Sequence, residues 1–207
     1  MFLAGLCWYF AIGRRQKTSA RRLPNRYTGV IEEFHSTRDE DGDGVDDQRD
    51  ILEGALAYIA TRPKYQSAYY PGGYPDDGYG VCTDVVARAL KTAGYDLQPL
   101  VEKDRKSHPK DYGEEAPDPN IDFRRVRNLK VYFSHTAISL TTDVHAIDQW
   151  QGGDIVIFTN HIGIVSDHRN KRGVCYVIHH SSPMQWAYEE DILEKRGDLE
   201  AHYRISP

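Results

Sequence analysis

Apolar positions recur at helical spacing twice in the first half of the chain. Ile51, Leu52, Ala55, Leu56 and Ile59 share one side of a segment running from Ile51 to Ala60, and Val85, Val86, Ala89, Leu90 and Ala93 do so just after Cys82. Gly94 follows the second segment as its C-cap. A further helix is expected over Val126–Phe133 and a short one around Val30–Phe34, whereas Leu100–Ala116 has no clear period. From Gly152 the pattern changes to β-branched runs at 153–158, 161–166 and 174–180, separated by turn residues as an antiparallel sheet requires. Residues 167–173 read as a hairpin loop centred on Asn170. A register symmetric about Asn170 sets His161 opposite His179 on one sheet face, with His180 on the other and Cys175 facing the helices as core filler. The pattern is that of an α+β domain.

Composition narrows the function classes. The 207 residues suit one domain with a small appendage, and a net charge of -5 without a long basic face excludes a nucleic-acid binder. Cys7, Cys82 and Cys175 are odd in number and widely spaced, which supports neither a disulfide framework nor a zinc knuckle. The apolar run Phe2–Ile12 is followed by Arg14 and Arg15 but is too short for a hydrocarbon core of ~30 Å. It reads as the trailing part of a membrane anchor or uncleaved signal over residues 1–13. A polar linker over 14–38 and a single domain over 39–207 follow. This organisation predicts a monomer outside the cytoplasm, anchored or secreted, with a possible membrane tether.

Residues 39–50 repeat carboxylates in the pattern D-x-D-x-D-G. Such a loop wraps one calcium ion: Asp39, Asp41 and Asp43 alternate, Gly44 permits the sharp turn, Val45 offers its carbonyl, Asp47 reaches the ion through water and Asp50 closes the site. Because the loop runs into the Ile51 helix, the calcium is expected to be structural. No organic cofactor is expected.

The chemistry gathers around Cys82. A Gly-rich approach delivers it to the first turn of a helix, where outward N–H groups and the helix dipole favour thiolate and lower its pKa. The Tyr-, Pro- and Gly-rich segment before it can wall a cleft. The strand geometry supplies a base, His161, and an orienter, His179. The oxyanion is expected at the Cys82 N–H, with Tyr79 as a further donor. Asp84, Asp122 and Arg125 are candidate substrate contacts, with an Asp122–Arg125 pair that merely holds its loop as the competing reading for those two.

The segments GYGVCTDVV, PDPNIDFRRV, GDIVIF, HIGIVSD, VIHH and the terminal HYRI resemble the bacterial domain of unknown function 1287, a branch of the NlpC-type papain-like cell-wall peptidases. The resemblance runs from about Asp39 to Ile205. It implies a papain-like α+β fold, with the nucleophile helix packed on an antiparallel sheet and a dockerin-like, EF-hand-like calcium loop before the first core helix. It also implies a cysteine amidase or endopeptidase acting through Cys82, His161 and His179 on peptide amide bonds of peptidoglycan. One departure is V-C-T-D in place of D-C-S-G at the nucleophile, which sets the charge of Asp84 near the sulfur. Two other classes compete. One is a calcium-stabilised wall-binding or scaffold protein without turnover; the other is a zinc site built from Cys82, His161 and His179.

Overall fold

In the computed structural model, which describes residues 17–207, four α-helices accompany a six-stranded antiparallel sheet. The expected anchor over 1–13 lies outside the described residues. Among the described residues no helix is long and apolar enough to cross a membrane.

The first helix, α1, spans Asp47–Ala60, and the Asp46 carboxylate caps it by accepting from the Arg49 N–H. A two-residue parallel ladder follows, β1 (Lys64–Tyr65) with β2 (Tyr79–Gly80). It closes the Tyr-rich loop and delivers the chain to α2, Cys82–Thr92. Gly94 takes φ +84° at the helix end, where αL geometry favours glycine. Helix α2 packs on α1 and on the central strand of the sheet. Val85, Val86, Ala89 and Leu90 are at most 1% exposed. Burying each valine or leucine contributes about 1.5–3 kcal/mol, so the start of α2 is firmly placed. Helix α3, Leu97–Ser107, occupies the stretch whose sequence showed no period: it buries only Leu97, Val101 and Arg105. Helix α4 spans Val126–Thr136, close to expectation.

The sheet contains β3 (Ile138–Ser139), β4 (Ile155–Phe158), β5 (His161–Arg169), β6 (Cys175–Ile178), β7 (Glu189–Glu190) and β8 (Leu199–Arg204), in the spatial order β3-β8-β4-β5-β6-β7. Ile155, Ile157, Ile162, Ile164 and Ile178 join the helical core, while Val156, Phe158, Val165 and Val177 pack with Trp150 and Leu193 on the opposite face. Both faces are covered, which is why these strands read as near-continuous apolar runs. Cys175 belongs to the second face, its sulfur 3.7 Å from the Trp150 carbonyl, and so does not fill the helical side as expected.

The register also differs. Ile164 pairs with Ile178 and Val165 with Val177, which by extension sets Gly163, and not His161, across from His179. An irregularity between Val165 and Arg169, with a tight turn closed by the Asn170 N–H to the Val174 carbonyl, moves the pivot beyond Asn170. The slip is two residues, so His161 and His179 still share one face. It is the face of Val165, Val177 and Cys175 and not the expected helical side, and His180 takes the helical side.

Residues 18–38 are not a free linker, and Val30–Phe34 is not helical. They run as an extended strap over the domain. Ser19 bridges Ala187, the Arg26 N–H donates to the Arg169 carbonyl, and the Thr37 N–H donates to the Pro207 carbonyl. Arg22 ties the strap down through Glu189, Ser166 and Asp167.

The terminal HYRI and the GD of GDIVIF meet at one buried carboxylate. Asp154, fully buried, accepts from Arg204 Nε at 2.7 Å and Nη2 at 2.8 Å, from His202 Nε2 at 2.9 Å, from Gln48 Nε2 at 2.9 Å and from the Gln151 N–H at 2.8 Å. These motif residues hold α1, β4 and β8 together.

Candidate functional site

Cys82 is the first residue of α2. Gly80 allows this placement: a Cβ there would lie 2.2 Å from the Tyr58 hydroxyl. The next turn is held by Asp84. Its Oδ2 accepts from the Val81 N–H at 2.8 Å, closing the helix start, and both its oxygens receive the Arg124 guanidinium, at 2.7 and 3.0 Å. Asp84 and Arg124 are both buried. Asp84 is therefore a positioning residue and not a substrate contact. Its charge, the departure noted in V-C-T-D, is paired by an arginine forty residues on. Thr83 adds a second tie, donating to the Arg124 carbonyl at 3.2 Å.

Asp122 is likewise internal. Arg105 lies 2.8 Å and Arg125 3.2 Å from its Oδ1, while the Asp118 N–H donates to Oδ2. The loop-holding reading of Asp122 and Arg125 is the one the geometry carries. Arg125 keeps one exposed side, where it lines a surface hollow with Glu115, Val126, Arg127 and Asn160, the residue before His161. Tyr79 is occupied by its backbone, the N–H donating to Asp77, and its ring lies beside Lys64. The tyrosine whose ionisation Cys82 opposes is Tyr65: burial first, and then the nearby Cys82, raise its pKa. The one-residue-wide signal for Tyr65, its parallel pairing with Gly80, cannot be read from a two-residue strand.

His161 and His179 do come together. His161 Nε2 lies 2.9 Å from His179 Nδ1, with the rings edge to face at 4.9 Å. They are diagonal neighbours across β5 and β6, and Gly163, having no side chain, leaves the room between them. Beyond His179 stands Glu190, its Oε2 3.1 Å from His179 Nε2. Glu190 pairs with Val177 in β7 and so shares the face of His179. This third partner was not foreseen, because a two-residue edge strand carries no periodicity. The carboxylate accepts only, so His179 carries its proton on Nε2 and offers Nδ1 as acceptor. His161 must then donate from Nε2, which leaves its Nδ1 as an unprotonated base.

Cys82 lies on the helical side of the sheet, packed against the helical core. The N–H groups of Ile162, next to His161, and of Thr83 point at Cys82 and favour its thiolate. Burial outweighs them, and with Asp84 adding to it the thiol is pushed up to about 11. The expected lowering by the helix N-terminus is thus overridden by desolvation. Burial, His179 and Arg196 push His161 down to about 3. At neutral pH both are uncharged, and Cys82 makes no hydrogen bond to a histidine among the described residues. His180 faces the helical side against Tyr65 and Tyr188, with a buried Nδ1 that has no partner, and burial followed by His179 pushes it down to about 4.

Two histidines buried neutral make the fold acid-sensitive. Each binds its proton more weakly folded than unfolded, so the stability they contribute is complete above the ordinary histidine pKa of about 6.5 and is lost as pH falls toward 4 and then 3. For His180 alone this is roughly 3 kcal/mol. Thermal melts between pH 7 and pH 4 should fall steadily, and His180→Phe should flatten part of that slope.

In the acidic loop, carboxylate oxygens of Asp39, Asp41 and Asp43 lie within 4.8 Å of one another. Gly42 and Gly44 take φ +75° and +93°, as the sharp turn needs. Asp50 is nearly buried, and burial with the repulsion of Asp43, Asp41 and Asp39 pushes it up to about 6. Three carboxylates crowded this way, with Asp50 close enough to feel their charge, suit a hard cation. Asp47 is turned elsewhere: its oxygens accept from the Glu40 N–H and from the Tyr95 hydroxyl.

A family model described as a domain of unknown function (DUF1287) matches residues 52–205, beginning just after the acidic loop. The uncharacterized protein YijF of Escherichia coli (strain K12) is 38% identical over 167 residues, covering 74% of this chain and 80% of YijF. No solved structure matches the chain. The match takes in Cys82, the Arg124 loop, both histidines, Glu190, and Asp154 with His202 and Arg204, and the chain belongs to the DUF1287 family.

Proposed function

We propose that this protein is a papain-like cysteine amidase or endopeptidase that cleaves peptide amide bonds of peptidoglycan outside the cytoplasm. The observation that carries the reading is the hydrogen-bonded chain Glu190–His179–His161, ending one residue from the N–H that holds the Cys82 sulfur at a helix start. The reaction starts from a neutral thiol and a neutral imidazole. As Sγ attacks the acyl carbon, its proton passes to His161 Nδ1 and a Cys82 thioester begins to form. Moving the proton creates two opposite charges side by side. Their attraction, and the Glu190 carboxylate at the far end of the relay, offset the cost of burial. The imidazolium then protonates the leaving amine as the C–N bond breaks, and water hydrolyses the thioester with His161 again as base. The Cys82 N–H and the Tyr65 hydroxyl are the donors for the oxyanion, with Tyr65 taking the role first considered for Tyr79.

The test is digestion of purified peptidoglycan, with mass spectrometry for a new amine and carboxylate pair. Wild type should release products and Cys82→Ala none. Binding to the wall without products from wild type would reject turnover and favour the scaffold reading.

The acidic loop is proposed to hold one structural calcium through Asp39, Asp41, Asp43, Asp50 and the Val45 carbonyl. The ion supplies the positive charge that lets four carboxylates share the start of α1. At a hundredfold excess over Kd, calcium stabilises by about 2.7 kcal/mol, a rise in Tm of roughly 5–10 °C for a domain of this size. Melting in calcium against chelator should show that rise in wild type and lose it in Asp41→Asn. Calcium at the millimolar level found outside cells would suit such a site.

A further inference from the structure

A second cluster of histidines and carboxylates converges far from Cys82 in sequence. Asp104 and His108 lie four residues apart, at the end of α3 and its C-cap, and so share a face. His135 comes from the last turn of α4, and Asp111 from the loop after α3. His135 Nδ1 is 2.8 Å from one Asp104 oxygen and His108 Nδ1 is 3.1 Å from the other. The two rings stand 4.5 Å apart, and Asp111 approaches His135 Nε2 at 3.5 Å. One donor atom from each of Asp104, His108 and His135 falls within 4.8 Å of the other two.

We propose that these three side chains form a site for a first-row divalent cation of the zinc type, independent of the reading of Cys82. Two imidazole nitrogens and one carboxylate oxygen are the donors such ions prefer, whereas calcium asks for oxygen alone. Both nitrogens already aim at the same carboxylate. On binding, each imidazole carries its proton on Nε2 in place of Nδ1, and the ion replaces the two N–H···O bonds. The His135 Nε2–H then faces Asp111 and that of the half-exposed His108 faces water, so no polar group is left without a partner. Bonds of about 2.0–2.2 Å need the donors drawn closer together. His108, about half exposed, can make that movement. Asp104 is held still by the Tyr112 hydroxyl, which donates to the oxygen that also faces His135, the kind of outer support that fixes a metal ligand. A water completes four-coordination, and Asp111 stands on the Nε2 side of His135 as its outer partner. The place is also electrostatically prepared: α3 and α4 both end here, and their C-terminal carbonyls add negative potential. The ion would tie the two helix ends across the loop that leads to Arg124, and so brace the segment that pairs with Asp84.

The experiment is calorimetric titration of the full chain, freed of metal by chelator, with zinc chloride in calcium-containing buffer so that the acidic loop is filled. One zinc should bind with micromolar or tighter Kd, and zinc should raise the Tm. His108→Ala and His135→Ala should each weaken binding at least about tenfold, and Cys82→Ala should bind as wild type. His135→Gln, which can still hydrogen-bond Asp104, serves if His135→Ala fails to fold, and should weaken zinc equally. No binding below millimolar zinc, binding unchanged in the histidine variants, or binding lost in Cys82→Ala would each overturn the proposal.

Discussion

Cys82→Ala and His161→Ala should each lower kcat/KM on a peptidoglycan fragment by at least about 10³-fold while leaving the fold intact. Cys82 packs on the helical side beside the Ile162 N–H, next to His161, whereas Cys175 is buried on the opposite face beside Trp150. Removing the nucleophile leaves no covalent route. Removing His161 leaves a thiol whose burial holds it near 11 without the base assigned to its proton. His179→Ala should cost about 10²-fold, because His161 would lose the acceptor that fixes its tautomer. Glu190→Gln should fall in kcat with little change in KM, since Glu190 touches the relay and not the substrate. His180→Ala is the informative control. His180 carries a buried nitrogen without a partner, beside Tyr65, and full activity in its absence would assign the base to His161 alone.

Replacing Asp84 with alanine should destabilise the protein by about 3–5 kcal/mol, measured as a lower midpoint in urea unfolding. The mutation leaves the Arg124 guanidinium buried without its bidentate partner, and frees the Val81 N–H that closes the start of α2. Arg124→Met should be as damaging, for the opposite charge. The double variant Asp84→Leu with Arg124→Met should lose less than the two single losses added together, because neither charge is then stranded. Activity should fall in all of them, since Cys82 depends on this turn for its place.

Much of this was legible because it is local. The helical stripes of α1 and α2 bury apolar faces with a clear period, and the arrival of Cys82 at a helix start follows from the stripe and the glycines before it. The shared face of His161 and His179 follows from strand parity, which a two-residue slip does not alter. What escaped is non-local or too short to have a period. Asp84 reads as a free charge until Arg124 is brought to it by tertiary packing. Glu190 and Tyr65 sit on two-residue strands. Helix α3 hides because an arginine, paired with Asp122, takes one of its few buried positions. The strap 18–38 is polar because its hydrogen bonds run to the domain surface, which sequence cannot distinguish from hydrogen bonds to water.

The most direct test of the central claim is the rate of alkylation at Cys82, followed by peptide mapping across pH 5–9 in wild type and His161→Ala. With His161 acting as base, wild type should label at a nearly constant rate over this range, because the imidazole stays unprotonated down to about 3. The variant should label slowly and rise about tenfold per pH unit toward the pKa of Cys82 itself. Superimposable profiles, both rising steeply with pH, would show that the sulfur and His161 do not work together and would contradict the account.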